Sequence, residues 1–495
     1  MVTTKRAHQV LLQATMGFKS TDVDNLIEAD DIESWIDIQT TIGGSSLVNK
    51  HRFVAERHSD PGWSDVHLKL AYTDILLKNG ALLRHRMAYI LTQLFVVSFR
   101  DPQLDLSHRR IASSKYYDNL ANNCFGSFRD LLKIISTSPV MGEYLTFRGN
   151  NFKEGVAADE NFAREVMQLF TIGPALLNMD GTVITDSAGK PVLSYSQQDI
   201  EEAAKVMTGW NLHNDDWLQP MRAVEDLHNQ ESKLILGNHF PAGATAEADL
   251  EQLLDTLCAH QNIAPFVAKF FIQKMITSNP SKDYVYRVAK AFKDSQLDMQ
   301  VLIKAILTDE QASYVSGRKD DGLIRDPMIT LSHAFRALNL TLKPGNEIFS
   351  SSYAWSKRRV LFHAPSVFYH YQPDEAPNDD RFTGIAAPEF KIYNWDDVYH
   401  YFRQVSDLAT RLESEPPVAY MNRPTFERHF QDAGNPNSIN NLIDELDKHL
   451  FANNMSEGMK SVIHEYMTTA NRNNLNVLKA LLIQIIMSPE FMTQG

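Results

Sequence analysis

The sharpest place for chemistry in the chain is Asp159-Glu-Asn-Phe-Ala-Arg-Glu-Val-Met-Gln-Leu-Phe-Thr-Ile-Gly173. Its periodicity predicts a helix with Asp159 as N-cap and Gly173 as stop. Phe162, Val166, Leu169 and Phe170 form its apolar face. Asn161, Glu165 and Gln168 follow one another at i, i+4 and i+7 on another face, and Glu160 precedes Arg164 by four residues, so the two can pair. In an open cleft Glu165 would serve as a general base or a ligand, helped by Asn161 and oriented by Arg164. The same rows also suit a helix whose charges tie neighbouring loops together, and both readings stay open. The enzymatic version is a hydrolase or transferase whose acid-base pair is Glu165 with His228 or Glu160.

Other residue types offer weaker constellations. His228 and His239 flank a short extended piece, while His363 and His370 bracket Pro365-Ser-Val-Phe ahead of Asp374, Glu375, Asp379 and Asp380. Imidazole and carboxylate together could hold a metal. No pair has the His-Glu-x-x-His or cysteine-pair spacing, so neither the metal content nor any cofactor is specified. The Asp374 to Asp380 run lacks the alternation and central glycine of a helix-loop-helix calcium site, and reads as solvated. Ser366 lacks a Gly-x-Ser-x-Gly elbow, and Gly43-Gly-Ser-Ser lacks the Lys-Ser or Lys-Thr of a phosphate loop. Trp210, Trp217, Trp355 and Trp395 with Tyr369, Tyr371 and Tyr393 could line a groove for sugars or peptides, although such residues more often fill helix interfaces.

The elements that must position these groups are helical. The first 17 residues read as an amphipathic helix ending at Gly17, and Ser64 to Asn79 as a helix that Gly80 stops. Leu82 to Phe99 is apolar on all sides, which predicts a buried helix. Three segments echo one another, beginning at Phe128, Met299 and Leu478; each is an apolar helix with a polar stop, but their irregular spacing rules against a short-period solenoid. Strand signals are few. Thr182-Val-Ile-Thr and Val192-Leu-Ser-Tyr alternate about Asp186-Ser-Ala-Gly-Lys-Pro, which suits a surface hairpin, and Lys233-Leu-Ile-Leu is a second short extended piece. Long loops rich in Pro, Asp and Asn cover Tyr371 to Pro388 and the stretch near Glu413 to Pro424. The expectation is a mainly α, large, bundle-like fold with one small β-hairpin insertion near 180–195. Residues 1–345 form its main helical region; residues 346–495 carry long loops and closing helices, packed as one unit with the rest.

Composition narrows the function classes. A chain of 495 residues that is 43% hydrophobic can bury a sizeable core. With 48 basic against 61 acidic residues the net charge is −13, and the basic residues are scattered, which argues against a nucleic-acid groove. Two cysteines, Cys124 and Cys258, are too few for a disulfide framework. No apolar run approaches the ~20 residues of a membrane span. The N-terminal residues lack the order of a signal peptide, so the expectation is a soluble chain, either cytoplasmic or trimmed after export.

The Asp159–Gly173 segment, together with Ser196-Gln-Gln-Asp-Ile-Glu-Glu-Ala-Ala-Lys-Val-Met-Thr-Gly-Trp210, closely resembles the family catalogued as domain of unknown function 1800. The resemblance continues in Met87-Ala-Tyr-Ile-Leu-Thr-Gln-Leu-Phe-Val-Val-Ser, in Phe128-Arg-Asp-Leu-Leu and in His228-Asn-Gln-Glu-Ser-Lys-Leu-Ile-Leu-Gly. It extends through Ala364-Pro-Ser-Val-Phe-Tyr-His and Ala387-Pro-Glu-Phe, and so runs from Arg6 nearly to Phe491. It implies a bacterial protein. Many relatives look exported and are often encoded beside proteins with a sulfatase-like or phosphatase-like domain. From this we expect a binding or scaffold component that acts with a hydrolase-like, sulfatase-like partner. The chain departs from the family pattern in two places. Leu91-Thr-Gln-Leu94 stands where many relatives carry His-Asn-His, so a metal site built on those histidines would be missing, and His228-Asn229 stands where others have His-Asp.

Overall fold

The computed structural model describes residues 2–57, 64–105, 107–313, 322–339, 341–342, 361–394, 398–403, 405–406, 419–420, 428–432, 435–472 and 474–494. The chain opens with α1 (Thr4–Ala14), α2 (Ser20–Glu28), α3 (Ile32–Thr41) and α4 (Leu47–Arg57). Each of the first three places few large apolar residues inward, among them Val10, Leu11, Leu26, Trp35 and Ile36, all buried. After α1 the chain turns at Gly17, whose φ of +133° only glycine adopts readily. A Cβ there would stand 2.4 Å from His333 Cα, so the turn and the helix carrying His333 touch backbone to backbone.

The centre is built by α5 (Asp65–Lys78), α6 (Leu82–Leu94) and α7 (Ser107–Asn123). All 13 residues of α6 are buried, in keeping with its lack of a polar face. Burying side chains such as Leu83, Met87, Ile90 and Leu91 contributes about 1.5–3 kcal/mol each. Arg84 and Arg86 are buried in the same helix because their guanidinium groups donate to carbonyls of other elements, Arg84 to Thr40, Ile42 and Ala121 and Arg86 to Lys274. Carbonyls at the C-terminal ends of α3, α7 and of the helix carrying Lys274 thus receive donors that the local backbone cannot supply.

Next come α8 (Phe128–Ser136) and α9 (Pro139–Tyr144), then α10 (Asn161–Glu165), α11 (Gln197–Val206), α12 (Ala246–Ala259), α13 (Ile263–Met275), α14 (Lys282–Asp294), α15 (Met299–Thr308), α16 (Glu310–Ser313) and α17 (Pro327–Ala337). Two of the three echoed segments are neighbours. Ser127 and Asp298, the N-caps of α8 and α15, form an antiparallel bridge, with Phe128 N donating to Leu297 O at 3.0 Å and Met299 N to Gly126 O at 2.9 Å. Helices 438–446, 457–469, 475–486 and 489–492 close the chain. Their apolar residues join a core that runs continuously from Ala7 to Phe491.

The molecule is mainly helical with small β pairs. The hairpin at 182–195 is present: Thr185 bridges Pro191, and Val192 N donates to Ile184 O at 2.9 Å. A third extended piece, Ala175–Leu177, bridges both of its arms, which the sequence reading left out. Two-residue bridges carry too little periodicity to be legible. Among the described residues four two-stranded sheets accompany it: β1 (Trp210–Asn211) with β2 (Arg222–Ala223), β3 (Lys233–Ile235) with β4 (Asn238–Phe240), β5 (Leu323–Ile324) with β8 (Thr493–Gln494), and β6 (Thr341–Leu342) with β7 (Ala419–Tyr420). The third of these ties the C-terminus to the middle of the chain. No helix among the described residues is long and apolar enough to cross a membrane.

Candidate functional site

The helix expected over 159–173 is shorter and changes type. The N-cap position falls on Glu160, one residue later than expected and without a side-chain cap; Asp159 precedes it, its carboxylate accepting from Asn161 N at 3.0 Å, and α10 makes little more than one α turn before Val166–Thr171 widens into a π turn. The Thr171 hydroxyl donates to Val166 O, five residues back, and Gly173 N donates to Met167 O at 2.9 Å, with Gly173 at φ +69° ending the helix. Such π turns are often found at functional sites. The apolar face falls as expected, with Phe162, Val166 and Phe170 buried.

Three of the polar side chains on this segment spend their hydrogen bonds on bracing. Arg164 Nη2 donates to Glu160 Oε2 at 2.7 Å and to Gln197 Oε1 at 3.3 Å, and Gln197 Nε2 donates to Glu160 at 2.9 Å, a triad that fastens α10 to α11. Asn161 Nδ2 donates to Thr146 Oγ1 at 2.7 Å, and Thr146 in turn to Asp159 at 2.8 Å. Glu165 differs. Its Oε2 is buried without a hydrogen-bond partner, and Arg164 gives its guanidinium to Glu160 instead. Burial raises the Glu165 pKa above the usual carboxylate range, outweighing the opposing pull of Arg164. Tyr144 and Tyr195 stand near enough to feel its charge. The Tyr144 phenol is pushed up to about 12 by burial, then by Asp101 and Glu165.

His228 is placed elsewhere, in the buried base of a neighbouring network. Its Nε2 lies 3.0 Å from Asp249 Oδ2, and its Nδ1 is 3.1 Å from Thr208 O. Lys233 Nζ reaches the same Asp249 oxygen at 2.5 Å and also donates to the carbonyls of Asn229 and Glu231. Neither Lys233 nor Asp249 exposes any side-chain surface, so this is an internal pin between β3 and α12. The structure therefore joins Glu160 to Arg164 and His228 to Asp249, and shows no hydrogen bond between Glu165 and His228 or Glu160.

Between these two networks lies a cleft of about 520 Å³, a size that suits a small ligand or a peptide side chain. One wall is the loop 151–158; the other carries Glu160, Glu201, Lys205, Thr208, Asn229 and Glu231. Glu154, Glu160, Glu201 and Glu231 set four carboxylates against Lys153 and Lys205. Lys205 is shared by Glu202 at 2.9 Å and Glu231 at 3.5 Å. Glu201, Lys205 and Glu231 were not singled out from the sequence. Their only local signal is the spacing of Glu201 and Lys205 by four on one helix, which is common on any solvated face.

The remaining histidines are dispersed. His363 Nε2 is 3.4 Å from Asp65 Oδ2 and its Nδ1 3.0 Å from Leu361 O, while His239 is exposed on β4 opposite Leu234. Among the described residues no group of three or more His, Cys, Asp and Glu side chains could hold a metal ion. Of the acidic run, Asp379 pairs with Arg381 at 2.7 Å and Glu375 with Lys391. Trp210 is buried in the core and Trp217 is covered by the guanidinium groups of Arg109 and Arg148, at 4.3 and 5.2 Å; Trp355 and Trp395 lie outside the described residues. Tyr369 and Tyr371 pack edge to face, 5.8 Å apart, and Tyr393 donates to Arg325 O at 2.5 Å.

No curated protein and no solved structure matches the chain. A family model does, over residues 9–493, and it covers α10, the cleft and the His228 network alike. The chain belongs to the family described as protein of unknown function DUF1800.

Proposed function

We propose that the chain is a binding component that acts with a sulfatase-like protein encoded nearby, and that the cleft beside α10 receives a basic segment of that partner. The observation that carries the reading is the cleft wall itself: four carboxylates against two lysines around about 520 Å³. The neighbouring polar groups are already hydrogen-bonded, Glu160 to Arg164, Asn161 to Thr146 and His228 to Asp249, which stiffens the wall. A rigid, oppositely charged wall favours association by steering and by sparing the cost of ordering side chains on binding. The test is co-purification of the full chain with its neighbour's product, followed by titration of one into the other. A stable complex weakened about tenfold or more by Glu201→Lys with Glu231→Lys supports the reading. A monomer that no cross-linker joins to the neighbour, or a complex indifferent to both substitutions, overturns it.

One observation favours the second reading, a hydrolase or transferase with Glu165 as general acid or base. Glu165 keeps a buried oxygen without a partner, beside a π turn, and holds its proton more tightly than an ordinary carboxyl. A carboxyl shifted in that direction is of the kind that serves in general acid-base catalysis. In this role Arg164 and Glu160 orient the helix, Asn161 fixes its N-terminus through Thr146, and His228 supports the adjoining wall. Turnover abolished by Glu165→Gln but kept in Asn161→Ala would support Glu165 as the proton-transfer group.

A further inference from the structure

Away from the cleft, stretches of chain remote in sequence meet around Lys274 on α13. Its ammonium is 4.1 Å from the centre of the Tyr371 ring, 5.5 Å from Tyr369 and 5.6 Å from Phe270. The contacts described for Nζ are ring faces, and among the described residues no carboxylate forms an ion pair with it. Tyr369 is held by Tyr89 of α6, hydroxyl to hydroxyl at 3.3 Å. Arg86, one turn earlier on α6, donates to Lys274 O at 2.6 Å and so fixes the backbone that carries the amine. Glu389 lies close enough for its charge to act on Lys274; it is buried and accepts from Ser278 Oγ at 3.0 Å. Lys274 as a residue keeps some exposed surface, while its amine is walled by the three rings.

Desolvating an ammonium takes more than ring faces return, so the balance tips toward the neutral amine. Burial accordingly brings Lys274 down to about 8, against the raising charges of Glu389 and Asp326 and with a lowering one from Arg86. Burial also raises the pKa of Glu389, the carboxyl whose charge acts on Lys274. A neutral lysine amine is a nucleophile, and the aromatic walls would stack on a flat, largely apolar molecule.

We propose that this ring-walled amine is a reactive site, where the Lys274 amine adds to small, flat aldehydes or ketones and forms an imine. The nitrogen lone pair forms the new N–C bond as the carbonyl π pair moves to oxygen. That oxygen takes up a proton, and nitrogen releases one. A second proton, from the Glu389 carboxyl, lets the hydroxyl depart as water while the N–C bond becomes double. Loss of the remaining N–H proton to the Glu389 carboxylate leaves the neutral imine and restores the acid. The sum is carbonyl plus amine to imine plus water, with no oxidant or reductant.

The test needs only the intact wild-type protein. Brief treatment with benzaldehyde and cyanoborohydride at pH 8, which reduces and so fixes any imine, is followed by mass-spectrometric mapping of the adducts. Labelling of Lys274 at least tenfold faster than the exposed Lys5 and Lys190 is expected, with a several-fold slower rate in Glu389→Gln. Labelling of Lys274 no faster than those two lysines overturns the proposal, and an unchanged rate in Glu389→Gln removes Glu389 from it. Lys274→Arg abolishes that adduct, and because the wild-type comparison stands by itself, a poorly folded variant leaves the test intact.

Discussion

Lys233 Nζ and Asp249 Oδ2 meet at 2.5 Å with neither side chain exposed, and His228 Nε2 shares the same oxygen at 3.0 Å. One carboxylate thus holds two segments of the cleft wall against α12. Removing it strands a buried ammonium, which costs about 3–5 kcal/mol in comparable pairs. Asp249→Ala should lose that much in urea unfolding. Burial works to raise the Asp249 pKa, but the hydrogen bonds of His228 and Lys233 and the charge of Lys233 prevail and hold it below the usual range. A depressed carboxylate contributes stability above its ordinary pKa of about 4 and forfeits it as pH falls through the folded value. The gap between wild type and Asp249→Asn should therefore be wide at pH 7 and shrink below pH 3; a gap that does not change with pH would contradict this.

Glu165 should behave in the opposite sense. Its folded pKa is raised by burial, so it weakens the native state once pH exceeds that value and costs nothing well below it. Glu165→Gln should raise the melting temperature at pH 8, by about 1–2 °C for a modest gain in a large domain, and leave it unchanged at pH 4. Thermal melts at the two pH values are the measurement. A loss of stability at pH 8 would mean the carboxylate has a native partner.

The cleft carboxylates should matter for association and little for folding. Glu231 is largely exposed, and its link to Lys205 is a surface ion pair at 3.5 Å. Such pairs are worth about 0–1 kcal/mol. Glu231→Lys should change unfolding free energy by less than about 0.5 kcal/mol while weakening partner binding several-fold, more so at low salt. Titrations at two ionic strengths would show it.

Gly17 has no room for a methyl group. Its φ of +133° and the 2.4 Å approach to His333 Cα leave backbone on both sides, which cannot rotate away as a side chain can. Gly17→Ala should cost about 3 kcal/mol through overpacking and a strained φ. Chemical denaturation would detect this, and a near-neutral effect would mean that α1 and α17 can separate slightly at no cost.

The sequence by itself determined the helical character of the chain, because a period near 3.6 and stop residues such as Gly80 and Gly173 are local properties. The largely apolar stretch from Leu82 foretold a buried helix, although α6 ends at Leu94 and not at Phe99, and the alternation about Asp186–Pro191 foretold a hairpin. Asn161, Glu165 and Gln168 were legible as a polar row, and Glu160 with Arg164 as a pair, because residues three or four apart share a helix face.

What the tertiary structure alone decided is which polar groups are spent and which are left over. Spacing by four already pairs Arg164 with Glu160, but the bracing of that pair by Gln197 on α11 and the burial of Glu165 Oε2 without a partner come only with the fold. The gathering of Arg86, Lys274, Tyr371 and Glu389 spans some 300 residues of sequence, and no local spacing encodes it. Burial and the company a charge keeps are properties of folded packing, so the perturbed groups, Glu165 and Lys274 among them, become visible only once distant elements have closed around them.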